Sequence, residues 1–87
     1  MGVGRKEAMD MVHDLISAEP RFNGVEVVLA VNEVPEGWQI IVHPANSYLR
    51  RHRRDLKLWL FVDHLNGQIH HVPSSGLRGL IIRLRSQ

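Results

Sequence analysis

The apolar positions of this chain fall into two periods. Between residues 5 and 18, RKEAMDMVHDLISA, they recur as Ala8, Met11, Val12, Leu15, Ile16 and Ala18, the i, i+3, i+4, i+7 spacing that lines one face of a helix. Pro20 ends it, because proline cannot donate to the helical ladder and restricts the residue before it. From residue 25 the period drops to two. Val25, Val27, Leu29 and Val31 alternate with Glu26, Val28, Ala30 and Asn32, and the β-branched content agrees with a strand. VPEG at 34–37 has the early proline and final glycine of a reversing turn. Trp38, Ile40 and Val42 then share one side of a second strand, so this region predicts a hairpin.

Residues 44–55, PANSYLRRHRRD, have no apolar period and read as a loop with at most one helical turn, capped by Asn46 or Ser47. LKLWLFVDHLNGQIHHV gives two further strand patterns around Asn66 and Gly67, both tolerant of positive φ, and hence a second hairpin. In the tail, Ser74 or Ser75 can cap a helix whose stripe is Leu77, Leu80, Ile81 and Leu84. LIIRLR also alternates as a fifth strand would, and Gly79 costs a helix about 1 kcal/mol relative to alanine; the helix is the preferred reading.

The fold class expected is α+β: a four-stranded antiparallel sheet of two hairpins, with an N-terminal helix and a C-terminal helix on one face. Residues 1–87 make a single domain, with 1–4 expected to be disordered. The first hairpin points Val25, Val27, Leu29, Val31, Trp38, Ile40 and Val42 toward the helices. The opposite face still carries Val28, Ala30 and Ile41, plus either Trp59 and Phe61 or Leu58, Leu60 and Val62. An antiparallel sheet with one wet face alternates cleanly, and this one does not. Val28, Ile41, Trp59 and Phe61 are therefore expected at an interface, with a second copy of the chain or with a partner protein.

Composition narrows the chemistry. The chain has 87 residues, 44% hydrophobic and 23% charged, enough for one core but not for two. With no cysteine, disulfides, thiolate nucleophiles and thiolate zinc sites are excluded. No signal peptide or membrane-length apolar run is visible, so a cytoplasmic location without membrane contact is the expectation. The net charge of +2 hides an asymmetry: residues 1–49 hold three Lys/Arg against seven Asp/Glu, and residues 50–87 hold eight against two. Such polarity steers an acidic partner toward one side.

The densest charge is RRHRRD at 50–55. Arg50, Arg51, Arg53, Arg54 and Lys57 can each meet a phosphate or a carboxylate; Tyr48 can stack, and Arg78 can join an anion site at a helix start. No RNP motif, recognition-helix pattern or basic tail accompanies them. His64, His70 and His71 cluster around the second hairpin, but adjacent strand residues face opposite ways, so at most two converge and no metal site is assigned. Asp63 and His70 can meet across the hairpin, with Ser47, Ser74 or Ser75 as a hydroxyl source, yet no nucleophile elbow or carboxylate pair appears. No catalytic residue and no cofactor is assigned.

The spacing Ala8, Val12, Ile16, the strand pair containing EGWQIIVH, the SYL loop and WLFVDHLNGQI together resemble the YrhB-type immunity-protein family over about residues 5–73. The shared turn is V-D-x-x-x-G-x-I, here Val62, Asp63, Gly67 and Ile69, which is similar also to a turn in PepSY-like domains. RRHRRDLK stands where that family usually carries a glycine-containing segment. The resemblance implies the same helix, hairpin, hairpin layout and a non-enzymatic role in binding a toxin protein. The functional expectation is thus a protein-binding module acting through the basic loop and the apolar sheet face, with a nucleic-acid-binding accessory protein using residues 50–54 as the alternative.

Overall fold

The alternation of the two hairpins sets the sheet. A computed structural model describes residues 2–72. In order, these form α1 Arg5–Ser17, a 3-10 turn Pro20–Phe22, β1 Val27–Val34, β2 Gly37–Pro44, α2 Ser47–His52, a second 3-10 turn Arg54–Leu56, β3 Leu58–Asp63 and β4 Ile69–Val72. The strands lie in the order β1, β2, β3, β4, antiparallel throughout. The class is α+β, with two hairpins and an N-terminal helix. The helix or strand expected over residues 77–85 lies outside the described residues, as does Arg78.

Register decides which face each side chain takes. Leu29 pairs with Val42 and Val31 with Ile40, and these pair in turn with Leu58 and Leu60. Leu58, Leu60 and Val62 therefore join the helix-facing layer, and Trp59 and Phe61 go to the other side. Onto this layer α1 lays Ala8, Val12 and Ile16, all buried, with Met11 and Leu15 half-buried beside them. The core holds because a three-four spacing on the helix meets a period of two on the sheet.

The turn between β1 and β2 has two residues, Pro35 and Glu36, and no non-glycine residue among those described has a positive φ. Gly37 is required for a different reason. A Cβ there would collide with the carbonyl oxygen of Val62 on β3 and lie 2.9 Å from the Phe61 ring.

The second hairpin differs from the two-residue turn that Asn66-Gly67 suggests. Asp63 and Gln68 close it, through Asp63 N–H to the Gln68 carbonyl at 3.0 Å, and only Gly67 takes a positive φ, 66°. The Asn66 side chain accepts from Gln68 N–H at 3.0 Å, and the Asp63 carboxylate accepts from Leu65 N–H at 2.7 Å. Side-chain acceptors here replace the second left-handed residue.

The chain before α1 reaches the core through Val3. Val3 is 8% exposed and belongs to the core. Its carbonyl accepts from Trp38 Nε1–H at 2.6 Å, and its N–H donates to His64 Nδ1 at 3.1 Å. Accepting that bond requires Nδ1 to be bare, so Nε2 carries the ring proton and donates to Glu33 Oε2 at 3.1 Å. Burial of Val3 with both backbone groups satisfied ties this segment to the core.

Candidate functional site

The chain between β2 and β3 is short and doubly anchored. Asn46 caps α2, its side-chain oxygen accepting from Leu49 N–H at 3.0 Å. After α2 the backbone turns at Arg53 (φ −116°, ψ 76°) into the second 3-10 turn. Leu56, fully buried, plugs that turn into the core. The expected loop with one capped helical turn is thus a six-residue helix followed by a buried peg.

Anchored this way, Arg50, Arg51, Arg54 and Lys57 line a cavity of about 320 Å³ together with Trp59, among the described residues. A second hollow of about 330 Å³ shares Arg50 and Arg51 and adds Ser47. Lys57 Nζ stands 5.0 Å from the centroid of the Trp59 ring, a cation–π distance. Arg50 is partly engaged, its Nη2 donating to the Ala45 carbonyl at 3.3 Å. Arg51, Arg54 and Lys57 have no carboxylate partner among the described residues.

Arg53 does not join them. Its Nε and Nη2 donate to the two carboxylate oxygens of Asp55 at 2.9 and 2.8 Å, a bidentate pair that neutralises it in place. Those hydrogen bonds hold the Asp55 carboxyl below its usual range and raise the Arg53 guanidinium. The sign follows: a carboxyl lowered on folding stabilises the fold above its unfolded value, and this contribution is lost as pH falls through the lower folded value. In a carbon-detected NMR titration, Asp55 is expected to protonate below the ordinary aspartate value of about 3.9, and Arg53→Ala to raise its midpoint. A normal midpoint in the wild type would contradict the pairing.

Tyr48 is 67% exposed but packs on His52, with ring centroids 4.4 Å apart, and does not line the Trp59 cavity. Across the second sheet face, register places Ala30, Ile41, Trp59 and Val72 in one row, and Val28 beside it is 44% exposed. Phe61 is a correction. It is only 1% exposed, packed with Val72, Val34 and Trp59, because its ring fills the space over Gly37 that a side chain would take. Of the four residues expected at an interface, Val28, Ile41 and Trp59 offer surface and Phe61 does not.

Asp63 and His70 approach across the second hairpin, with Oδ2 and Nε2 4.0 Å apart. Of the hydroxyls expected beside this pair, Ser47 opens α2 in the connection between β2 and β3, and Ser74 and Ser75 lie outside the described residues. His64 is committed to Val3 and Glu33. Among the described residues no group of three or more His, Asp or Glu is placed to hold a metal ion, and no helix is long and apolar enough to cross a membrane.

No protein-family model, curated protein or solved structure matches the chain. The pairing of Lys57 with Trp59 has only a local signature in the sequence. Its signal was their i, i+2 spacing on an extended segment, which puts both on one side. For Arg53, the signal was the carboxylate two residues on.

Proposed function

We propose that this protein is a non-enzymatic binding module that takes an acidic protein partner on the cavity formed by Arg50, Arg51, Arg54, Lys57 and Trp59. The carrying observation is that these cations ring an aromatic side chain that continues into the apolar row Ala30, Ile41 and Val72. An apolar centre containing tryptophan, rimmed by arginine, is the anatomy of a protein interface and of its hot spots. Arginine suits the rim because its planar fork pairs with a carboxylate through two hydrogen bonds. The resemblance to immunity proteins supports the same kind of role, the capture of one protein by another.

The alternative, nucleic-acid binding through residues 50–54, draws less support from this geometry. Arg53 is spent on Asp55, Tyr48 stacks on His52, and the remaining cations converge on one hollow rather than following a strand. A gel shift with duplex DNA separates the two readings. No complex is expected at about 150 mM salt, where the screening length is near 8 Å. A complex whose log affinity falls with log salt at about −3.6, the slope for four phosphate contacts, and which Arg50→Ala with Arg51→Ala and Arg54→Ala abolishes, would assign the site to nucleic acid.

A further inference from the structure

β1 is an eight-residue strand at one edge of the sheet. Its hairpin fixes which backbone groups are already used. Val34 faces Gly37 across the two-residue turn, and Ala45 N–H donates to the Glu26 carbonyl at 2.9 Å, so the even-numbered residues turn their N–H and C=O toward β2. Because these directions alternate along an antiparallel strand, the groups of Val27, Leu29, Val31 and Glu33 point outward from the sheet.

Among the described residues no strand pairs with the outer side of β1, and an open edge of this length is ordinarily blunted by lysine, proline or a bulge. VVLAVNEV contains no lysine, arginine or proline, and its register with β2 is unbroken from Val27 to Val34. β4, at the opposite edge, has only four residues, two of them histidine.

We propose that β1 pairs antiparallel with β1 of a second copy, about a two-fold axis through Ala30, to form one continuous sheet. The sequence of the strand selects that occupant and that register. Only an axis through Ala30 uses all four outward-facing residues of both copies, pairing Val27 with Glu33 and Leu29 with Val31 across the axis, while keeping both α1 helices on one side. In this register Glu33 lies opposite Val27 and Glu26 opposite Val34, so no like charges face each other. On the axis itself Ala30 meets Ala30 as a non-hydrogen-bonded pair, where Cα atoms approach to about 4.5 Å, and both are small and exposed. The row Ala30, Ile41, Trp59 and Val72 then runs through the axis into the second copy, and the two basic cavities face the same side. This pairing does not rest on what those cavities bind.

The cysteine-free chain makes the register directly testable. Ala30→Cys, oxidised with diamide at micromolar concentration, is expected to give a disulfide-linked dimer nearly quantitatively, since about 4.5 Å between Cα atoms is within disulfide range. Asn32→Cys, which stands opposite Val28 and about 13 Å along the strand from its own copy, is expected to remain unlinked. By light scattering the wild type should weigh twice the 10.0 kDa of one chain. Ala30→Lys and Ala30→Glu, each folded by circular dichroism, should be monomers that dimerise when mixed. A monomeric wild type, equal linking of the two cysteine variants, or a dimer that survives Ala30→Lys and is lost with Ile41→Glu would overturn the proposal; the last would mean that the sheet faces associate instead.

Discussion

Trp38→Ala is expected to destabilise the fold by roughly 3–5 kcal/mol, the cost of emptying a buried tryptophan site. That is a large share of the roughly 4–13 kcal/mol that a chain of this size holds in total. Two contributions combine. The indole fills the end of the core between α1 and the sheet at 7% exposure, and its N–H is the donor to the Val3 carbonyl. Its edge also meets the His64 ring, with centroids 6.0 Å apart and planes at 72°. Trp38→Phe separates the two: it keeps an aromatic ring and removes the donor, leaving a buried carbonyl unsatisfied at a cost of about 1–3 kcal/mol. Urea denaturation followed by circular dichroism measures both. A Trp38→Phe variant as stable as the wild type would show that the Val3 bond contributes nothing.

Gly37→Ala is expected to be nearly as damaging for one added methyl group. The added Cβ meets the Val62 carbonyl oxygen and, at 2.9 Å, the Phe61 ring. A flexible side chain could move aside. A carbonyl within the β2–β3 ladder cannot move without breaking register, so a cost of about 3 kcal/mol is expected, at the upper end for overpacking. Gly4→Ser is the control, because nothing lies within 4 Å of a Cβ there and serine is at least as good an N-cap for α1, a change of a few tenths of a kcal/mol. Equal melting temperatures for Gly37→Ala and the wild type would mean that β2 and β3 are farther apart than described.

The periodicity of the chain carried most of the fold. Ala8, Val12 and Ile16 sit where a helical stripe places them, and the odd-numbered residues of β1 share one face as a period of two requires. What the pattern could not contain were contacts between distant residues. Val3 is fixed by Trp38 and His64, 35 and 61 residues away, and nothing local marks it. Asn66 reads as half of a two-residue turn from propensity alone, yet its side chain bonds Gln68 N–H and the turn lengthens. Phe61 and Trp59 alternate identically in sequence, but only Phe61 lies over a glycine and is hidden.

The same limit applied to the basic segment. Four arginines in six residues announce a charged surface, and charge alone does not say which of them act together. Leu56, buried between Asp55 and Lys57, orients the segment so that Arg54 and Lys57 turn toward Trp59 while Arg53 folds back on Asp55. Convergence of Arg50, Arg51, Arg54 and Lys57 on Trp59 is thus a product of one apolar anchor and one internal ion pair. The anchor has no signature in composition, and the ion pair shows only as a carboxylate two residues after Arg53.

The most direct test of the binding role is affinity capture from the source cell on immobilised wild type and on the Arg50→Ala, Arg51→Ala, Arg54→Ala, Trp59→Ala variant, each after nuclease treatment. The account predicts that the wild type retains one acidic protein in stoichiometric amount after nuclease, and that the variant, folded by circular dichroism, loses it. Retention of that protein by the variant, or its disappearance from the wild type once nucleic acid is digested, would contradict the assignment of this cavity to a protein partner.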